Sequence, residues 1–117
     1  LRQTDGFWVA RIRSALMQNR LRLVHQPVVG LQEEVQGVVD TRVRLIDEQG
    51  EIVRPSEFIP PAERAHLMKN IDRWVIGASF AFCAARQPGL VFVRLSRDSV
   101  LDETLADWLR ARAASTK

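Results

Sequence analysis

Apolar positions along the chain fall into two periodicities. Over residues 5–19, Trp8, Ile12, Ala15 and Leu16 recur at the helical spacing, and Thr4 or Asp5 stands where a side-chain oxygen caps the first turn. Residues 21–29 (LRLVHQPVV) read as a strand, with Pro27 and Gly30 marking its end. Residues 36–46 (QGVVDTRVRLI) read as a second strand, reached through a hairpin-like turn, and DEQG at 47–50 reads as a turn. Pro55–Ser56 opens a short helical stretch with Ser56 as N-cap, which Pro60–Pro61 breaks. From Leu67 to Arg86 the pattern is a long helix, with Ile71, Val75, Ala78 and Phe82 on one stripe, Trp74 beside it and Pro88–Gly89 as its stop. The apolar run 90–95 (LVFVRL) reads as a buried strand. Ser96 caps a turn after it, and Asp102 caps a last helix that turns Leu105, Trp108 and Leu109 inward. The order αββααβα predicts an α/β fold with a three-stranded mixed sheet and helices packed on one face.

Side-chain alternation divides each strand between two faces. Asp40, Arg42 and Arg44 share one face of the second strand, and Thr41, Val43 and Leu45 share the other. On the first strand Arg22, Val24 and Gln26 oppose Leu21, Leu23 and His25. On the third, Phe92 and Arg94 oppose Val91, Val93 and Leu95. One sheet face is therefore charged, and burying it is costly unless every charge is paired.

Composition narrows the class. A chain of 117 residues is a single domain, 1–117, and its 46% hydrophobic and 26% charged residues argue against disorder. No apolar run is long enough for a membrane span, and no charged-then-apolar leader pattern opens the chain. The chain begins at Leu1 rather than methionine, which suggests a piece of something longer. The single cysteine, Cys83, excludes a disulfide framework and a multi-cysteine zinc site, and is read as a packed hydrophobe. His25 and His66 read as a strand-outer and a helix-entry residue, and Trp8, Trp74 and Trp108 as core residues. The net charge of +3 rests on 17 Lys plus Arg, 15 of them Arg, interleaved with apolar positions at helical spacing. Such charges read as solvated helix faces, which argues against a nucleic-acid partner and against direct membrane insertion.

Taken in order, HQPVV, a strand ending in VRL, DEQG, PSEFIPPAER, NIDRWVI and VRLS resemble the N-terminal half of an EAL domain, the cyclic-di-GMP phosphodiesterase family. The resemblance covers nearly the whole chain and is most specific over Pro55–Ile76. It implies half of a variant (β/α) barrel, whose full form needs about 250 residues. It also implies that the family's remaining acidic metal ligands, its catalytic lysine and its late glutamate fall in a second half that is not present. The signature glutamate falls at Asp40 and the next two signature positions at Thr41 and Arg42. The metal-binding asparagine of the family's N-L-S motif falls at Arg94, where a permanent cation repels a divalent ion. Three further positions match residues that contact the dinucleotide in the family: Gln26, Arg44 and Asp72.

These departures lead to one expectation and one alternative. The expectation is a catalytically inactive, degenerate regulatory or protein-interaction module of bacterial cyclic-di-GMP signalling. It holds no Mg or Mn cofactor and has no catalytic residues. It is cytoplasmic, alone or within a larger membrane-attached signalling protein, and its open strand edges pair with another protein or a second copy. The alternative is an effector that holds cyclic-di-GMP without cleaving it, through Gln26, Arg44, Asp72 and Arg94. If the face that points into the family's barrel has become a surface shown to solvent or a partner, an Asp40–Arg94 ion pair between neighbouring strands is expected.

Overall fold

The first apolar stripe forms α1, Gln3–Met17, in a computed structural model that describes residues 3–29 and 34–116. Ile12 and Ala15 are fully buried on it, with Trp8 and Leu16 packed at the margins. The helix starts at Gln3, so Thr4 and Asp5, expected to cap it, lie inside it instead, and the turn through Gly30 lies outside the described residues.

β1, Leu21–Val29, pairs antiparallel with β2, Glu34–Ile46, in a register running from Leu21↔Leu45 to Gln26↔Asp40. The register slips between Pro27 and Val29, and β2 begins two residues before the sequence pattern suggests. Pro27 has no N–H to give the ladder, which is why the irregularity sits there. Gly37 takes φ of 78° beside it, and a Cβ at that position would meet the Gly89 nitrogen at 2.9 Å. Two constraints thus require glycine at one position: a left-handed backbone and a close crossing.

The sheet has four strands, one more than expected. β3, Ile52–Val53, pairs antiparallel with Leu45 and Ile46, and β4, Leu90–Phe92, pairs parallel with Val38, Val39 and Asp40. Both occupy the same edge of β2, opposite β1. Two residues are too few to show a period, so β3 is silent in the sequence. It is formed by the turn before it, where Asp47 Oδ1 accepts from the Gln49 and Glu51 amides, each at 2.9 Å. β4 is shorter than the expected 90–95 and is not buried: Leu90 and Phe92 are each about half exposed, at 51% and 52%.

α2, Pro55–Arg64, corrects two further expectations. Its N-cap is Arg54 and Pro55 occupies the first turn, so Ser56 lies inside the helix. Pro60 and Pro61 do not break it, although each removes the N–H that an interior helical residue donates four positions back. The tertiary contacts of Phe58, Pro61 and Ala62, all buried, hold the helix through that loss. α3, Met68–Arg86, follows the predicted long helix and ends at Gln87 in the left-handed conformation. Then come α4, Arg97–Val100, and α5, Leu105–Thr116. Ser96 caps α4 as expected, its side chain accepting from the Ser99 amide.

The helices cover one face of the sheet. Leu21, Thr41 and Leu45 are buried there, with Val53, Phe58, Ala62, Leu67, Met68, Ile71 and Val75 completing the core around Ile12 and Ala15. Fully burying a side chain such as Phe58 is worth about 1.5–3 kcal/mol. No helix among the described residues is long and apolar enough to cross a membrane.

Candidate functional site

The alternation read from the sequence puts the charged residues on the sheet face opposite the helices. Asp40 is their centre. Its Oδ1 accepts from the Thr41 amide at 3.0 Å, and its Oδ2 lies 3.4 Å from Arg42 Nη2 and 3.3 Å from Arg94 Nη2. The Asp40–Arg94 pair joins β2 to the segment after β4 across 54 positions, as the sequence led one to expect. The Arg42 and Arg94 side chains are 42% and 65% exposed, so the face is wet in this chain and the arginines remain hydrated.

Further along the same face, Arg22 and Arg44 stand directly opposite each other across β1 and β2. Like charges in that position repel. Arg22 is drawn away, its Nη1 donating to the Asn19 and Leu21 carbonyls at 2.7 and 2.8 Å. Arg44 makes no ion pair among the described residues, so neither Asp47 nor Glu48 neutralises it. Gln26, opposite Asp40, is exposed.

Asp72 is not with this group in exposure: it is buried at 3%. Its Oδ2 accepts from the Ser96 amide at 2.9 Å and from the Ser96 and Ser99 hydroxyls at 2.6 Å each. Charge-assisted hydrogen bonds this short are strong. They tie α3 to the turn that starts two residues after Arg94, and so fix where Arg94 stands. The hint in the sequence is Ser96-x-x-Ser99, two hydroxyls one turn apart with a carboxylate on the preceding helix.

Between its pairings with β4 and β3, the second edge of β2 has no ladder partner over residues 41–44 among the described residues. One bond bridges the start of the gap, Thr41 Oγ1 donating to the Phe92 carbonyl at 2.8 Å. Beside it lies a cavity of about 360 Å³ lined by Arg42, Val43, Ile59, Ile71, Asp72 and Arg94, among others. The sheet face and the cavity thus share Arg42 and Arg94.

A divalent cation does not fit this arrangement. Each Asp40 oxygen is already engaged, and an ion beside it would face two guanidinium groups. Among the described residues no three His, Cys, Asp or Glu side chains cluster as metal ligands.

The remaining polar contacts are structural. Arg73 on α3 donates to Asp102 Oδ2 and Thr104 Oγ1, each at 3.0 Å, and lies 5.0 Å from the Trp108 ring centre. Asp102 also accepts from the Thr104 amide and hydroxyl, which hold its carboxyl below the usual range, with Lys69 and Arg73 adding to the shift against the effect of burial. That hub docks α5 on α3; the sequence showed only the capping role of Asp102. His25 stacks on Phe82 at 3.8 Å between ring centres, so it packs toward α3 while remaining exposed. His66, at φ of 57° before α3, contacts Asp98 at 3.1 Å. Cys83 is half-buried beside a small cavity of about 160 Å³ with Ile76, Ser79 and Val91.

An open sheet with helices packed on one face is the architecture of part of a (β/α) barrel. Residues 9–117 match the EAL domain family model. The cyclic di-GMP phosphodiesterase PdeB of Shewanella oneidensis is 30% identical over 107 residues, 87% of this chain and 12% of that protein. The FimX EAL domain of Pseudomonas aeruginosa, solved bound to c-di-GMP, superposes with a TM-score of 0.84 at 34% identity, covering 93% of this chain and 45% of that one. The Xanthomonas citri FimX EAL domain, in complex with c-diGMP, gives 0.81 at 30% identity, covering 96% and 45%. The chain belongs to the EAL domain family and spans less than half the length of these relatives.

Proposed function

We propose that this domain serves cyclic-di-GMP signalling as a regulatory or protein-interaction module and does not hydrolyse the dinucleotide. The observation that carries the reading is the Asp40–Arg94 ion pair at 3.3 Å. It lies where the family resemblance places two metal ligands, and two-metal hydrolysis needs both cations to activate water and stabilise the leaving oxygen. An interaction role has a surface available: β4 pairs only with β2 among the described residues, and an open edge accepts a strand from a second copy or another protein. The experiment is chromatography of cyclic-di-GMP incubated with the purified domain in magnesium or manganese. Unchanged dinucleotide is the expected result, and a linear product removes the proposal.

A second reading, a non-hydrolysing effector that binds the dinucleotide, is favoured by charge. Arg22, Arg42, Arg44 and Arg94 share the sheet face with one carboxylate, Asp40, and two FimX relatives were solved with c-di-GMP. Calorimetric titration separates the two: heat of binding without turnover supports the effector, and no heat supports the interaction module.

A further inference from the structure

We propose that the cavity between α3 and β4 is a site for small neutral electrophiles of the α,β-unsaturated ketone class, with Cys83 as the nucleophile and Ser79 as the hydrogen-bond donor to the carbonyl oxygen. It lies on the helix side of the sheet, apart from the charged face. Its volume is about 160 Å³, and its walls are Ile76, Ser79, Phe80 and Cys83 of α3, Val91 of β4 and Val93 just beyond. Ser79 is 5% exposed, and its Oγ has no hydrogen-bond partner among the described residues. A serine inside a helix commonly donates to the carbonyl one turn back, but this one does not. The other lining side chains carry neither oxygen nor nitrogen, so the cavity meets a buried hydroxyl whose proton is uncommitted.

Water is a poor occupant. A buried water needs about two to four polar partners, and these side chains offer one hydroxyl and a thiol. An apolar cavity of about 150 Å³ holds a molecule the size of benzene. The space therefore suits a short carbon skeleton with a single hydrogen-bond acceptor.

Ser79 and Cys83 are four positions apart on α3, so they share a face one turn apart, with Cβ atoms about 5–6 Å from each other. A conjugated ketone spans that step, its terminal alkene carbon against Sγ and its oxygen against Oγ. Cys83 is half-buried, so its thiol is within reach of solvent, unlike a fully packed structural cysteine.

The Cys83 thiolate, its proton passed to water, adds to the terminal alkene carbon. One S–C bond forms, and the alkene π pair moves toward the carbonyl to give an enolate. The Ser79 O–H donates to that enolate oxygen, where charge develops. Water then protonates the carbon beside the carbonyl and the ketone is restored. Nothing leaves, and no oxidant or reductant takes part.

The test is reaction of the purified domain with methyl vinyl ketone at neutral pH, followed by mass spectrometry of the intact chain and its peptides. One ketone per chain, on Cys83, is the expected product. Each rate is divided by that of free cysteine in the same buffer. The folded domain should then react at least about tenfold faster than the urea-unfolded chain, whereas simple exposure of a thiol predicts the reverse. Ser79→Ala should slow the addition by about tenfold, the scale of one hydrogen bond. The same variant should leave alkylation by iodoacetamide, a displacement that builds no enolate, unchanged. Val91→Phe, which fills the cavity from the strand side while keeping Ser79 and Cys83, should also slow the ketone, and circular dichroism confirms that both variants are folded. An unfolded chain as reactive as the folded one overturns the site. So does a Ser79→Ala variant that reacts at the parent's rate or slows with both reagents alike, a Val91→Phe variant at the parent's rate, or a first adduct on another residue.

Discussion

Asp72 Oδ2 and the Ser99 hydroxyl are 2.6 Å apart, and that contact joins the middle of the fold to the charged face. Asp72 sits on α3, and Ser99 in the short helix whose preceding strand segment carries Arg94. The Ser96 amide and hydroxyl reach the same oxygen. The matched dinucleotide-contact position is thus occupied by a residue whose demonstrable task is to fix the loop that presents Arg94.

Replacing Asp72 with alanine should therefore be costly. It leaves the buried Ser99 hydroxyl and the half-buried Ser96 hydroxyl and amide without their acceptor, a loss of about 2–3 kcal/mol at the scale of bonds to charged groups. Urea unfolding should show that drop, and hydrogen exchange should show faster exchange over residues 94–100 than over β1. A variant as stable as the parent would mean that the Ser96 and Ser99 bonds contribute nothing net.

Asp40 should behave in the opposite way. Its partners are exposed, and its ion pairs lie on an open face. Surface pairs of this kind contribute roughly 0–1 kcal/mol. Asp40→Ala should lower stability by less than about 1 kcal/mol, measured by denaturant midpoint, whereas removing one partner of a buried pair costs about 3–5 kcal/mol. A large loss would show that the face is covered in solution.

The contrast between these two carboxylates marks what could be read beforehand. The alternation of Asp40, Arg42 and Arg44 is a property of strand geometry, so the shared face and the Asp40–Arg94 pair follow from the sequence once the strands are placed. The helix of Asp72 is equally legible, but the element above it is four residues long and held by side chains, so no period announces it. β3 is hidden for the same reason. The reading of Pro60–Pro61 as a break fails because local propensity was weighed without the burial of Phe58 and Ala62, which comes from α1, α3 and the sheet.

That last conflict is measurable. Pro60 is exposed inside α2, so its ring contributes little packing while its missing N–H and steric clash remain. Pro60→Ala should stabilise the domain by about 1 kcal/mol and raise its melting temperature by several degrees. Phe58→Ala, which empties a fully buried site, should destabilise it by about 3–5 kcal/mol. A lower melting temperature for Pro60→Ala would show that restricting the unfolded chain outweighs the lost hydrogen bond.

Asp102 sets the acid limit of the contact between α3 and α5. Its carboxyl titrates below 3.8 in the folded chain, chiefly because the Thr104 amide and hydroxyl donate to it, with Lys69 and Arg73 favouring the charged form. A depressed folded value means that the unfolded chain binds the proton more readily. The stability this group contributes is complete above its unfolded pKa and drains away as pH falls from 3.8 through the lower folded value. Denaturant midpoints measured from pH 7 down to about pH 2.5 should fall more steeply for the parent than for Asp102→Asn, which has no charge to lose in that range. The variant should start lower at neutral pH, and the gap between the two should narrow with acid. If the two curves stay parallel, the Thr104 and Arg73 contacts do not stabilise the ionised carboxylate, and α5 is held on α3 by other contacts, among them Arg73 over the Trp108 ring and Arg112 against Gly77.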